Sequence, residues 1–362
     1  IRDSLYSCIY CDELIRMNTG PGSIDVRKIQ FTGGSTYTLS LPKPWVEEME
    51  LNPRDGVRVD WRPSGALRLS PLNRANFQTR TVAINAANLP TDSLHDHLMG
   101  AYISGVDKII ISFEGQQKRG LNKQIRRFLR NTRGYETMNE SETKVELLCL
   151  LRASEMPLTA SINRMYSQLS SIIRDIVSVI KGDSNEILND ANDREAEVDA
   201  LLYLVQRQVA ISLDSHFVAS SLKLSRNQAV EYSNLARSLE RMMDHALIMV
   251  ELMLISNSQS LTNMKLVLPQ IENWQKAIKQ LMINIRTKDS HEIEAARHQL
   301  KDSQNEITAL EEQLMNNRDN ANSELYLFRL LESIRRICAY ARDFGEVLLN
   351  IKLHDESYTS TQ

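Results

Sequence analysis

Apolar residues along this chain change period once, near its middle. From Pro157 to about residue 353 they recur every three or four positions with few breaks, the spacing of amphipathic helices. The spacing predicts helices over 157–181, 184–213, 222–256, 263–287, 289–316 and 320–353, with joints near Gly182-Asp183, Leu222 to Ser225 and Thr287-Lys288. Six helices in two sets of three read as an internal repeat. The sets align: Glu197-Val198-Asp199-Ala200-Leu201 matches Glu306-Ile307-Thr308-Ala309-Leu310, and Ser238-Leu239-Glu240-Arg241-Met242 matches Ser333-Ile334-Arg335-Arg336-Ile337. Tandem three-helix bundles are therefore expected over 157–256 and 260–353, with 354–362 as a tail.

Before this the pattern is that of strands and turns. Strands are expected over Val26 to Phe31, Tyr37 to Leu41, Val57 to Trp61 and Ala66 to Leu69, with a short helix from Pro42 to Met49. Turns are expected at Thr32 to Ser35, Leu51 to Gly56 and Pro63-Ser64-Gly65. Residues 79–151 alternate. Strands at Val82 to Ile84, Lys108 to Phe113 and Glu146 to Leu151 are interleaved with helices over Thr91 to Ser104 and through Thr132, which suggests a small α/β unit. Its second helix holds Lys118, Arg119, Lys123, Arg126, Arg127, Arg130 and Arg133, with no acid from Gly115 to Gly134. Leu121, Ile125, Phe128 and Leu129 keep one face for the core, so the cations turn to water. They form either a solvated basic face or, through Lys123, Arg126, Arg127 and Arg130, a binding face for nucleic acid or a phosphate group.

Two acidic pairs stand out in the first bundle. Glu195 with Asp199, and Glu240 with Asp244, are each spaced i and i+4, which places two carboxylates on one helix face about 5–6 Å apart at the β-carbons. Advancing 100° per residue, the apolar stripe of the first helix lies roughly 65° and 105° from its two acids; that of the second lies at roughly 70° and 110°. Equal offsets point both pairs into one shared groove, or both away from it. Clustered carboxylates on bundle helices suit a hard cation such as iron, magnesium or manganese. The second bundle has Gln304, Thr308, Arg335 and Ala339 at the equivalent places and is not expected to hold such a site. His245, next to Asp244, reads as a surface histidine.

At 362 residues, 42% of them hydrophobic and 25% charged, the chain suits a soluble protein of two or three domains. No segment approaches the ~18 uninterrupted apolar residues of a membrane span, so no membrane insertion and a cytoplasmic location are expected. Residues 1–23 read as a disordered or non-native leader without the apolar core of a signal peptide, and Met17 is a candidate natural start. Four cysteines are too few and scattered for a disulfide framework, and Cys8-Ile-Tyr-Cys11 lacks a second half. The net charge of −3 hides a split: 19 basic and 13 acidic residues through Arg133, then 24 basic and 33 acidic. A basic N-terminal part suits a polyanion and an acidic remainder suits cations.

The run RKIQFTGGSTYTLSLPKPWVEEMELNPRDGVRV, within residues 24–72, resembles the AbrB/SpoVT/MazE swapped-hairpin family. That resemblance implies a small β-barrel interleaved from two chains, hence a homodimer, with DNA contacts expected at Arg27, Lys28, Lys43 and Arg54. The runs DREAEVDALLYLVQRQV and LARSLERMMDHALIMVE resemble the PhoU family of phosphate-uptake regulators, and the order of the two parts is similar to an archaeal arrangement. This second resemblance implies metal ions, iron among them, at Glu195, Asp199, Glu240 and Asp244. The expected fold is thus multidomain and mainly α: an N-terminal swapped-hairpin barrel, a small α/β segment and two helical bundles. The expected function is a phosphate-responsive, DNA-binding transcriptional regulator. The alternative is an adaptor that controls a phosphate transporter or signalling partner by protein contact. No nucleophile elbow, phosphate-cradling glycine loop or HExxH occurs, so an enzyme is not expected.

Overall fold

A computed structural model describes residues 26–34, 36–61, 66–72, 79–114, 118–153, 155–255, 264–316 and 321–359. The expected leader, the Cys8–Cys11 pair and the Pro63-Ser64-Gly65 turn lie outside these residues. The chain divides into two compact units, Ile1–Gln78 and Thr79–Gln362.

In the first unit, β1 (Gln30–Thr32) and β2 (Thr36–Thr38) form a hairpin in which Phe31 faces Tyr37. Gly33 and Gly34 make its turn at φ of 65° and 80°, where a β-carbon is unfavourable. The helix α1 (Lys43–Glu48) follows Pro42, and β3 (Val57–Trp61) pairs antiparallel with β4 (Leu67–Pro71). Each hairpin is its own two-stranded sheet. The expected barrel is not seen as a closed sheet among the described residues of this one chain. None of the residues of this unit whose burial is described is buried, and two-stranded sheets are at best marginal alone.

The second unit begins with a four-stranded sheet in the order β5-β6-β8-β7, made by β5 (Thr81–Asn85), β6 (Lys108–Ser112), β7 (Tyr135–Glu140) and β8 (Lys144–Cys149). β5 and β6 run parallel, linked by α2 (Leu94–Ile103); the other pairings are antiparallel. Leu94, Leu98 and Tyr102 of α2, with Ile125 and Phe128 of α3 (Lys118–Asn131), form one core with Ile109, Ile111, Val145 and Leu147. β7 has no counterpart in the expected elements. Only Tyr135 of it is buried, so it has no apolar alternation to read.

The remainder is helical: α4 (Leu158–Lys181), α5 (Ala191–Asp214), α6 (His216–Ser221), α7 (Arg226–Ile255), α8 (Leu268–Thr287), α9 (Ser290–Asn316) and α10 (Ala321–Thr359). One continuous apolar core runs from Leu158 to Ile351 through both sets of three, joined where α7 packs along α10. Part of the helix expected over 222–256 is preceded by the short α6, capped by Ser215 and closed by Lys223 at φ 56°. The expected tail is helical through Thr359. Its Asp355 accepts from Gln228 Nε2 at 2.6 Å and pairs with Lys288.

Candidate functional site

Helix α5 carries Glu195 and Asp199, and the neighbouring α7 carries Glu240 and Asp244. The two helices pack together, and the charges of the two pairs act on one another: Asp199 is affected by Glu240 and Asp244, and Glu195 by Asp244. Partial burial raises all four carboxyl pKa values. Asp199 is pushed up to about 7, first by desolvation and then by Glu195, Glu240 and Asp244. Glu240 is raised by desolvation and by Asp244, against an opposing pull from Arg237 and Arg241. Among the described residues no salt bridge engages any of the four. The donors are thus all oxygen and lack a paired cation, which suits a hard ion. Their arrangement is open, however: among the described residues no three His, Cys, Asp or Glu side chains are gathered so as to hold a metal.

Tyr203, one helical turn beyond Asp199, extends the same stripe. Desolvation raises its pKa, followed by the charges of Asp199, Glu240, Glu195 and Asp244, while its ring packs against the core of the α/β part. The residue escaped the sequence reading, although continuing the i+4 series from Glu195 through Asp199 reaches it. Arg207, a further turn along, also escaped it. Its guanidinium is buried, donating to Tyr102 O at 3.0 Å, Val106 O at 2.6 Å and Asp107 Oδ1 at 2.9 Å, and lies 5.2 Å and 5.7 Å from the Tyr102 and Tyr135 ring centres. Helix α5 therefore joins the acidic pairs to the α/β part.

The equivalent place in the second bundle is closed on itself. Gln304 donates to Arg335 O at 3.3 Å and accepts from Arg342 at 3.0 Å, and Thr308 donates to Gln304 O at 3.0 Å. Arg335 reaches Glu311 at 3.6 Å. His245 is half-buried rather than on the open surface, because its ring lies 5.8 Å from Tyr340 of α10, with Arg241 over the same ring at 5.5 Å. Burial and the nearby Arg336 lower its pKa.

The four expected DNA contacts are exposed. Arg27 and Lys28 precede β1, and Lys43 opens α1, where it pairs with Glu47 at 3.5 Å. Arg54 sits in the turn before β3 at φ 80°, a left-handed conformation that costs a non-glycine residue ~1–2 kcal/mol. On α3, Lys123, Arg126, Arg127 and Arg130 are exposed as expected.

Residues 162–253 match the PhoU domain family. The matched stretch reaches from α4 into α7 and contains all four carboxylates. No curated protein and no solved structure matches the chain. Among the described residues no helix is long and apolar enough to cross a membrane.

Proposed function

We propose that this chain is a PhoU-type regulator of phosphate homeostasis that acts as a DNA-bound dimer, with a hard cation in the groove between α5 and α7. The observation that carries the reading is the PhoU-domain match over residues 162–253, a stretch that contains four electrostatically coupled carboxylates on two packed helices. A cation there would relieve the mutual repulsion once the carboxylates turn inward, tying α5 to α7. Since α5 also bears Arg207, occupancy would bear on the docking of the α/β part.

Dimerisation and DNA contact are supported by the N-terminal unit. The resemblance of residues 24–72 to swapped-hairpin domains accounts for Phe31, Tyr37, Val59 and Leu67, which are more than half exposed in the single chain. A second copy would cover them and double the set of Arg27, Lys28, Lys43 and Arg54. Genome-wide DNA occupancy in phosphate-replete and phosphate-starved cells tests the proposal. Occupancy of a limited set of promoters that changes with phosphate is expected. No DNA retention in either condition, with a transporter or signalling protein co-purifying instead, would replace this reading with the adaptor.

A further inference from the structure

Every exposed residue from Arg119 to Arg133 is arginine, lysine or glycine: Arg119, Gly120, Lys123, Arg126, Arg127, Arg130 and Arg133. On a helix advancing 100° per residue, the cations from Arg119 to Arg130 fall within an arc of roughly 100° and run for ~16 Å. The buried Ile125 and Phe128 occupy the opposite side. Among the described residues none of the six cations is in an ion pair, and near the two ends of the stripe Glu140 accepts from Asn122 at 3.3 Å and Glu197 is held by Arg164 at 2.6 Å. The five from Arg119 to Arg130 are like charges on one helix face and repel one another at a cost to the helix, while Arg133 follows the helix end and feels the charge of Glu197. An external polyanion would offset it.

We infer that this face of α3 is a second DNA-contacting surface, one that tracks the phosphate backbone of a duplex without reading its bases. The inference rests on the reading of the chain as a DNA-contacting regulator and deepens it. A membrane-surface helix would need its apolar side free to insert, but that side is spent on the core. Single-stranded nucleic acid calls for exposed aromatic platforms, and the face has none. A protein interface sets its anchors, arginine included, in a packed and desolvated centre, whereas this face is an exposed line of cations with no apolar or aromatic residue among them. A lone anion needs cations that converge, whereas these are strung out in a line. Five of the six are arginine, whose planar fork meets phosphate oxygens two at a time.

The full chain and an Arg126→Gln/Arg127→Gln/Arg130→Gln variant are titrated with promoter and random-sequence duplexes across a sodium chloride series. Each phosphate contact contributes about −0.9 to the slope of log affinity against log salt, so the variant's slope should be shallower by about 2–3, equally on both duplexes. Lysine at the same three positions should restore it. An unchanged slope in the glutamine variant overturns the inference, as does a loss confined to one sequence. A variant that loses only a protein partner, or only retention on phosphatidylserine vesicles, gives the face to that partner and overturns it too. An Arg27→Ala/Lys28→Ala variant separates the two claims. If it binds duplex normally while the glutamine variant does not, the N-terminal contact fails and the α3 surface stands; if the wild-type chain ignores duplex DNA at low salt, both fall.

Discussion

Four carboxylates on the packed helices α5 and α7 repel one another, and the one with most acidic neighbours bears most of the effect. Asp199, pushed up to about 7, keeps its proton in the folded state over a pH range where the unfolded chain has released it. The folded state then binds more protons than the unfolded one between about pH 4 and pH 7, so stability falls as pH rises through that window. With the partial exposure discounted, the loss attributable to this residue is on the order of 1–2 kcal/mol. Urea denaturation in a chelator should therefore show a less stable protein at pH 8 than at pH 5, and Asp199→Asn should flatten the difference. A wild-type profile already flat would remove the coupling. At pH 8 a bound hard cation should reverse the loss, stabilising roughly as RT ln(1 + [L]/Kd). Asp244→Asn should abolish that gain without weakening the metal-free protein; no gain in the wild type from iron, magnesium or manganese would return the four residues to the role of solvated flanks.

The elements differ in how much of themselves the sequence displays. Helices α4, α8 and α9 announce their periods and lie close to where the spacing predicts, because each buries a regular apolar stripe, broad on α4 and narrow on α9. β7 does not, since it buries one residue and borrows its order from pairing with β8. The phase of the acidic pairs was legible to the point of requiring a common direction; which direction depended on how α5 and α7 pack. Arg207 was invisible for another reason. An arginine amid Leu204, Val205 and Val209 looks like any helix flank until the loop carbonyls of Tyr102 and Val106 and the carboxylate of Asp107 come to meet it from about a hundred residues away. Removing it takes away the one cation they share, leaving Asp107 only the backbone N–H of Arg80, Val106 O the Tyr135 hydroxyl and Tyr102 O the N–H of Gly105. Arg207→Met should cost ~3–5 kcal/mol and speed amide exchange across residues 79–149 more than in α8 to α10. Arg207→Lys should recover only part, because an ammonium cannot span three acceptors with the fixed fork of a guanidinium. Uniform acceleration over the whole unit would show that Arg207 supports the global fold instead of docking one part.

At the scale of the whole molecule, the two compact units differ in what holds them. Residues 79–362 own large buried cores, whereas the first unit has no buried residue among those whose burial is described and leaves Phe31, Tyr37, Val59 and Leu67 open to water. A segment of some fifty residues rarely stabilises itself without a staple or a second chain, and an exposed apolar set in two ribbons with unpaired edges calls for association. The proposed dimer should therefore be held mainly by this unit. Sedimentation should give a dimer for the full chain, and Phe31→Ser with Val59→Ser should shift it toward monomer at micromolar concentration. The thermal transition of residues 79–362 should stay where it is, since neither residue belongs to their cores. DNA affinity should fall with the dimer, because linked duplex contacts gain from effective concentration and lose it when separated. A double variant that remains dimeric would move the interface into the helical unit; a monomeric variant with undiminished DNA affinity would show that the N-terminal unit contacts DNA singly, leaving its exposed apolar residues to some other partner.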